Sequence, residues 1–307
     1  MKSLKNTQSF LILASIFVLV SFFSCGGSGQ SEDPQSIEDW ILGSSVSIRE
    51  DFSPDVFIQL KNAGIDYVEL GLRAPQFYAD SPEMDNFCNT IFEAAAEVGV
   101  KIWSIHIPYG KQWDISDPSE TARQGVIERH QKLFDIFKIL QPNKAIIHPS
   151  YEPNPPEERE TRLEACRKSL LVLAAAAENY GVELVIECLP RTCLGNSSEE
   201  ILWLLEGNKK LGVCCDVNHL LKEKPEEFIK KVGSRITTLH ISDYDGLDEK
   251  HWPPGKGIIE WNLVLESLIS TGYSGPFLLE YGDTPENKAQ MWKDMKSKFL
   301  QSHNKTL

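Results

Sequence analysis

Histidines and carboxylates recur where the apolar runs of this sequence end. The chain has seven histidines, and five of them close or follow a short apolar run: His106, His148, His219, His240 and His251. Imidazole nitrogens and carboxylate oxygens bind divalent metal ions, and they also act as general acids and bases. Metal binding combined with proton transfer is therefore the chemistry that these residue types indicate. For any single side chain, a structural hydrogen bond is the alternative.

Two glutamates lie inside strongly apolar stretches. Glu187 lies in LVIEC and Glu280 lies in FLLEY. Burying an ionised carboxylate is unfavourable by several kcal/mol unless a cation or strong donors meet it. A divalent cation held by Glu187, Asp216, His240 and Glu280 would meet that requirement. Three oxygens and one nitrogen suit Mn²⁺, Mg²⁺, Co²⁺ or Zn²⁺, and the oxygen-rich set favours Mn²⁺.

Eight apolar runs alternate with longer amphipathic stretches from residue 37 onward. The predicted strands are WILGSSVSI, DYVELGL, KIWSIHIPYG, KAIIHPS, ELVIECLP, LGVCCDVNH, ITTLHISDYD and PFLLEYG. Helices are predicted near 54–63, 84–98, 119–140, 156–180, 198–207, 225–232, 261–270 and 285–300. Continuous apolar strands between helices indicate a parallel sheet buried on both faces.

Eight such units predict an α/β fold, a single (β/α)₈ TIM barrel with eight parallel strands. An open, doubly wound sheet is the alternative, but no G-x-G-x-x-G follows the first strand and no P-loop occurs. In a barrel, the carboxyl ends of the strands meet at one mouth. The polar residues described above would then converge there.

Four segments carry a resemblance to a known family. VIECLP, CCDVNHL, LHISDYDG…HWPPGKGIIEW and FLLEYG occur in this order. Together they resemble the xylose isomerase-like TIM-barrel superfamily of sugar and sugar-phosphate isomerases and epimerases. The superfamily also contains zinc-dependent abasic-site endonucleases, inosose dehydratases and some glycoside-cleaving lyases. The resemblance extends from about residue 40 to the C-terminus.

The resemblance to the ketose 3-epimerases of this family implies specific roles. Glu187, Asp216, His240 and Glu280 would hold one metal ion, and Glu187 and Glu280 would also be the acid–base pair. His219 would bind a substrate oxygen. The implied activity is that of a divalent-metal-dependent sugar isomerase or epimerase, which abstracts a proton alpha to a carbonyl and passes through an enediolate.

The resemblance to the endonuclease members implies further ligands. His106, His148, His219, Glu249 and His251 would bind additional metal ions or contact the substrate, with Glu249 in place of the family's aspartate. The number of metal ions therefore stays open.

Substrate contacts are predicted on the loops after strands five and seven. The simple epimerases have an arginine after the seventh strand, which this chain lacks. Lys250, His251 and Lys256 are the polar candidates on that loop, and Arg191 could replace the missing contact. Trp252 could contact substrate by stacking on an apolar sugar face. For Arg191, a salt bridge to a neighbouring loop is the alternative.

The N-terminus predicts an exported protein. Residues 1–24 have the shape of a signal peptide, with an apolar run from Phe10 to Phe23. The residues before Cys25 resemble the lipobox of bacterial lipoproteins, which implies a lipid on Cys25. Residues 25–36 read as a flexible tether, and residues 37–307 form the barrel. The expected location is the bacterial cell envelope, with attachment by lipid alone and the barrel facing the periplasm or the outside; an ordinary secretory signal or an uncleaved anchor is the alternative.

Charge and export restrict the partners. The formal net charge of −13 disfavours binding to nucleic acid. Export favours a free sugar, a glycoside or an oxidised glycoside over a sugar phosphate. Two other functions fit the same residues: a 3-keto-glycoside lyase or hydratase, and a non-catalytic sugar-binding lipoprotein. Homo-oligomerisation is open, and the cysteines are expected to be mostly buried thiols, with Cys188–Cys193 a candidate pair.

Overall fold

Eight parallel strands form the barrel. The computed structural model describes residues 37–78 and 83–304. The strands are β1 Leu42–Ile48, β2 Tyr67–Leu72, β3 Lys101–His106, β4 Lys144–Ile147, β5 Glu183–Glu187, β6 Gly212–Asp216, β7 Ile236–His240 and β8 Phe277–Leu279. They pair in the order β7-β6-β5-β4-β3-β2-β1-β8. Between β7 and β8, Ile241 donates to the Leu278 carbonyl and accepts from the Glu280 N–H, both at 2.9 Å. The predicted (β/α)₈ barrel is confirmed.

Helices connect successive strands on the outside. Over the described ranges they are α1 Asp55–Ala63, α2 Glu83–Val98, α3 Glu120–Leu133, α4 Phe137–Leu140, α5 Arg159–Glu178, α6 Ser198–Leu205, α7 Pro225–Val232, α8 Trp261–Ser270 and α9 Pro285–Asn304. The helix predicted over 119–140 is interrupted by a 3₁₀ turn at Phe134–Ile136. Stacking of the buried rings of Phe134 and Phe137, whose centroids lie 4.8 Å apart, accompanies this bend.

The starts of several helices follow local sequence signals. The Ser119 hydroxyl accepts from the Ala122 N–H at the start of α3, and the Ser197 hydroxyl accepts from the Glu200 N–H at the start of α6. Both contacts satisfy an N–H group that has no partner inside the helix. Pro225 begins α7, where its missing N–H is tolerated.

The barrel interior is layered along its axis. At the amino ends of the strands, Lys144 forms an ion pair with Glu183. A small apolar cluster fills the middle, formed by Ile146, Val185 and Cys214. The main core lies outside this layer, between the strands and the helices. These apolar side chains therefore separate the ion pair at the amino ends of the strands from the polar groups at the mouth.

Asp243 organises the loop between β7 and α8. Its buried carboxylate accepts hydrogen bonds from four N–H groups, those of Tyr244, Gly255, Ile259 and the Trp261 side chain. Any Cβ at Gly257 would lie 2.2 Å from Asp243 Oδ1, so the loop requires glycine there. This loop carries Glu249 and His251, and Asp243 therefore fixes the backbone that presents them.

The remaining sequence predictions concern the thiols and the N-terminus. All six cysteines of the described chain are buried and free, so the Cys188–Cys193 pair is wrong. Within residues 37–78 and 83–304, none of the helices has the length and apolar character that a membrane span needs. The signal peptide, the tether and the lipid on Cys25 lie outside the described residues and stay predictions.

We expect Asp243→Asn to lower the free energy of unfolding by about 2–4 kcal/mol, because its amide would place donors against N–H groups that need acceptors. Urea denaturation measures this change. Asp245→Asn is the matched control, since Asp245 accepts from two N–H groups of the same loop but is partly exposed. The control should lose less than about 1 kcal/mol, and equal losses would contradict the role of Asp243.

The buried His130 predicts a dependence of stability on pH. Burial lowers the pKa of His130 to about 4, while Nδ1 donates to the Val126 carbonyl and the ring packs edge-on against Trp113. The unfolded chain therefore binds a proton at His130 before the folded chain does, as the pH falls from about 6.5 to 4. Stability from this group is complete above pH 6.5 and is lost below it.

Between pH 7.5 and pH 5, the wild type should lose about 2 kcal/mol more free energy of unfolding than His130→Gln does. Urea titrations at both pH values measure the difference. Because the variant also alters packing at every pH, only the change with pH is compared. Parallel losses in the two proteins would show that His130 is not responsible.

Candidate metal and proton-transfer site

Four predicted ligands converge at the mouth of the barrel. Glu187, Asp216 and His240 are the last residues of β5, β6 and β7, and Glu280 follows β8 directly. Each offers a ligand atom, and these atoms all lie within 4.8 Å of one another. The four side chains that the sequence indicated as one set are thus adjacent in space.

His240 lies at the centre of this cluster. Its Nδ1 is 3.0 Å from Glu187 Oε1, 3.0 Å from Glu280 Oε2 and 3.8 Å from Asp216 Oδ2. Its Nε2 is 2.9 Å from Glu69 Oε1. One ring nitrogen therefore faces the three carboxylates, and the other faces a fourth.

Glu69 has a role that the sequence did not assign. It is buried in β2 and accepts a hydrogen bond of 2.6 Å from the Ser104 hydroxyl. A carboxylate against the outer nitrogen of a ligating histidine fixes the tautomer and the orientation of the ring. The available signal was a glutamate inside the apolar run DYVELGL.

Opposite charges hold the cluster together. Burial disfavours the charged form of His240, but Cys214 and the surrounding carboxylates raise its pKa well above the ordinary value. Burial would raise the pKa of Glu280, but His240 lowers it to about 2. Burial opposes ionisation of Glu187 as well, and nearby histidines, chiefly His240, hold its pKa well below its usual range. Glu187 and Glu280 are therefore carboxylates at neutral pH.

Asp216 differs from the two glutamates. Burial, with a further contribution from Glu280 and Glu187, raises its pKa to about 6, although His219 opposes the shift. Asp216 Oδ1 accepts the Asn218 N–H at 2.8 Å, which fixes the carboxylate at the strand end.

The cluster fits a divalent cation. Asp216 Oδ2 and Glu280 Oε2 are buried atoms that make no hydrogen bond of good geometry in the described chain, although His219 Nδ1 lies 3.2 Å from the first and His240 Nδ1 lies 3.0 Å from the second. Buried polar atoms without a partner are uncommon and indicate a missing ion or water. Three carboxylates and one imidazole nitrogen around a common centre provide the donor types that Mn²⁺, Mg²⁺, Co²⁺ and Zn²⁺ accept.

Two further histidines contact Glu187. His106 Nε2 and His148 Nε2 lie 3.1 Å and 2.9 Å from Glu187 Oε2. Burial opposes protonation of both rings: for His106 the hydrogen bond to Glu187 prevails and raises the pKa, whereas for His148 burial prevails and lowers it. His106, Glu187 and His240 also form a set that could hold a metal ion.

A second cluster lies beside the first. His219, Glu249 and His251 offer ligand atoms within 4.8 Å of one another. His219 Nε2 is 2.9 Å from Glu249 Oε2, and its Nδ1 is 3.2 Å from Asp216 Oδ2. Although burial opposes it, Asp216 and other carboxylates raise the pKa of His219 to about 10, and the hydrogen bond from His219 lowers that of Glu249 to about 2. A role for this cluster in binding a second metal ion or a substrate stays a prediction.

A cavity of about 250 Å³ opens above both clusters. Glu187 and Glu280 line it, as do four of the five strand-end histidines: His106, His148, His219 and His251. Asp216 and His240 are fully buried below it. The cavity gives a small molecule access to both glutamates.

Three other predicted substrate contacts are placed differently. Arg191 lines the cavity, but its guanidinium binds the carboxylates of Glu152, Asp248 and Glu249 at 2.7–3.0 Å. The salt bridge considered as its alternative role is therefore present. Within the described chain, Trp252 and Lys256 are not part of the cavity lining, and the Lys256 amine lies 5.3 Å from the Trp252 ring centroid. Substrate binding by these three residues stays a prediction.

The chain is similar to several known proteins. It is 28% identical to the uncharacterized protein MJ1311 of Methanocaldococcus jannaschii over 57% of this chain and 63% of that protein, and therefore spans less than two thirds of that relative. It is 27% identical to fructoselysine 3-epimerase of Escherichia coli O157:H7 over 35% of this chain and 42% of that enzyme. The crystal structure of a D-tagatose 3-epimerase-like protein superposes with a TM-score of 0.68 at 22% identity, covering 86% of this chain and 98% of that one.

The family assignment rests on a longer match. The sequence profile of the family described as Xylose isomerase-like TIM barrel matches residues 57–302, which include every strand from β2 to β8 and all four residues of the central cluster. The match agrees with the barrel and with the resemblance carried by the sequence segments. The chain therefore belongs to the xylose isomerase-like TIM-barrel family.

Proposed function

We propose that this protein is a divalent-metal-dependent sugar isomerase or epimerase. The central cluster carries the proposal: two ionised glutamates face a cavity, and Oε2 of Glu280 and Oδ2 of Asp216 are buried atoms that make no hydrogen bond of good geometry within the described chain. The donors nearest to these oxygens are the rings of His240, at 3.0 Å, and His219, at 3.2 Å, which are themselves possible metal ligands. The cavity volume of about 250 Å³ is slightly smaller than that of most ligand pockets. A cavity of this size suits a monosaccharide.

Similarity to characterised proteins supports the same class of reaction. One curated relative is a fructoselysine 3-epimerase, and one structural neighbour is D-tagatose 3-epimerase-like. For this chain, we propose a sugar as the class of substrate. The proposal specifies neither the particular sugar nor the carbon that reacts.

Glu187 and Glu280 would move the proton. One carboxylate removes the proton alpha to the substrate carbonyl, which leaves an enediolate. The other returns a proton taken up from solvent, and the carbon that receives it determines whether the product is an epimer or an isomer. The two reach the cavity from strands separated by β6 and β7, so they can address different sides of a bound sugar.

Other residues of the chain would bind and orient. Asp216 and His240, with the two glutamates, would hold the cation, and Glu69 would orient the His240 ring. When bound, the cation supplies positive charge that stabilises negative charge developing on the substrate oxygens. His219 lines the cavity and would contact a substrate oxygen.

We propose a bacterial cell-envelope location and a free sugar or oxidised glycoside as the substrate. Both proposals rest on the N-terminal sequence alone. Cleavage of the N-terminal segment and lipid on Cys25 can be measured by mass spectrometry of the native protein.

Metal binding can be tested directly on the purified protein. After treatment with a chelator, the purified protein should take up Mn²⁺, and its melting temperature should rise because the ion binds only the folded chain. Asp216→Asn should weaken Mn²⁺ binding by at least about 10-fold, since it removes a charged ligand. Isothermal titration calorimetry gives both affinity and stoichiometry.

His251→Gln is the control for this experiment. His251 belongs to the second cluster and not to the central one, so the variant should keep the first ion. A stoichiometry that falls from two to one in His251→Gln would add a second metal site. A protein that binds no divalent ion, or in which Asp216→Asn binds normally, would contradict the central site.

Proton abstraction can be tested by exchange with solvent deuterium. Incubation of the Mn²⁺-loaded protein in D₂O with ketoses, aldoses and 3-keto-glycosides should place deuterium at one substrate carbon, observed by NMR. Glu187→Gln and Glu280→Gln should each reduce the exchange rate by roughly 10²- to 10⁴-fold, because each loses a proton carrier. Metal content is measured in both variants, since both residues are also predicted ligands.

The products separate the alternatives. An epimer or isomer supports the proposal, whereas release of an aglycone from a 3-keto-glycoside would indicate the lyase. Sugar binding without exchange in the wild type, unchanged in Glu187→Gln, would indicate a binding protein and would refute the enzyme.

A further inference from the structure

The cavity has two arginines in its lining, and they differ in their partners. Arg191 is neutralised by the carboxylates of Glu152, Asp248 and Glu249. Arg73 is exposed at the other side of the mouth, directly after β2, and no carboxylate of the described residues pairs with it. One guanidinium of the cavity is therefore available to a ligand.

Contacts within the protein hold Arg73 in place. Its backbone N–H donates to the Ile48 carbonyl at 2.9 Å, which anchors the residue to the end of β1. Its guanidinium carbon lies 4.4 Å from the Tyr109 ring centroid. An arginine stacked on an aromatic face keeps its N–H groups free at the edge, so stacking and ligand binding are compatible.

The stack leads toward the proton-transfer site. The Tyr109 ring stacks on His148 with centroids 4.5 Å apart and planes at 12°, and His148 Nε2 is 2.9 Å from Glu187. Because the two successive distances are 4.4 Å and 4.5 Å, the guanidinium lies within about 9 Å of the His148 ring. A sugar whose reacting carbon lies at Glu187 can thus carry a substituent that reaches Arg73.

The carboxylates of the lining already have cationic or imidazole partners. Glu152 and Glu249 bind Arg191, and Glu187 and Glu280 contact His240. Among the described residues of the lining, the guanidinium of Arg73 thus keeps a positive charge that no carboxylate offsets. An anionic group entering this mouth would find its partner at Arg73.

We propose that Arg73 is a specificity-determining residue that binds an anionic substituent of the substrate, a carboxylate or a phosphate, at the end away from Glu187. The inference rests on the proposed function, because it assigns a substrate class to the same site. It makes the substrate an acidic sugar derivative. Arg73 acts on binding, and the two glutamates act on the proton.

Equilibrium binding of three ketoses that differ only at C6 tests this assignment. D-fructose carries a hydroxyl, D-fructuronate a carboxylate and D-fructose 6-phosphate a phosphate. Calorimetry with the Mn²⁺-loaded protein should give at least one acid a dissociation constant roughly 10- to 100-fold lower than that of D-fructose, as expected for charge-assisted hydrogen bonds. The tighter of the two acids identifies the group as carboxylate or phosphate.

Variants separate Arg73 from other causes of such a preference. Arg73→Gln should abolish the preference, and Arg73→Lys should keep at most a small part of it, because the charge remains but the forked N–H donors and the stacking are lost. Arg167→Gln is the matched control: Arg167 also stacks on an aromatic ring, 4.1 Å from the Trp203 centroid, but it does not line the cavity. The control should keep the wild-type preference.

Three results would overturn the inference. The first is the absence of any charge preference, including failure to bind either acid. The second is a preference that survives in Arg73→Gln, which would indicate binding of the acid by the metal ion. The third is that Arg73→Gln weakens binding of D-fructose as much as it weakens binding of the acids, which would indicate a packing role. Dissociation constants need no turnover, so failure of deuterium exchange would refute the proposed function without affecting this test.

Discussion

The mouth of the barrel depends on the attraction between one imidazole and four carboxylates. Glu69, Glu187 and Glu280 each lie within 3.0 Å of a nitrogen of His240, and Asp216 lies at 3.8 Å. Buried carboxylates at such separations repel each other strongly unless positive charge lies between them. The His240 ring lies between these carboxylates, which with Cys214 raise its pKa although burial opposes the shift. A divalent cation would relieve the same repulsion more completely, so metal binding and local stability are linked.

The barrel supplies both the position and the dielectric environment for this interaction. The apolar layer of Ile146, Val185 and Cys214 closes the interior below the cluster. Polar groups are again found beneath that layer, where Lys144 and Glu183 neutralise each other. Glu183 and Glu187 begin and end the same strand, yet one meets a lysine and the other meets histidines. The position along the strand therefore decides whether a carboxylate is structural or available for chemistry.

The parts of the site that were predictable from the sequence are those carried by strands. The alternation of apolar runs with amphipathic stretches predicts the eight strands. A carboxylate that ends a buried apolar run, such as Glu187, requires a positively charged partner or strong donors. The roles of loop residues were not predictable in this way. Asp243 also follows a strand, but four N–H groups of its own loop use its oxygens. Arg73 has no distinguishing local pattern, because the contact that sets it apart, stacking on Tyr109, joins two successive β/α units.

The same distinction between strands and loops separates the central cluster from the second cluster. Central-cluster ligands sit at or directly after strand ends, where ladder hydrogen bonds hold the backbone. Glu249 and His251 instead depend on the loop that Asp243 organises, and Arg191 ties that loop to the loops after β4 and β5. Glu249 accepts from His219, which contacts Asp216 in turn. A change in the β7–α8 loop would therefore reach the central cluster first through Glu249, His219 and Asp216 rather than through the two glutamates of that cluster.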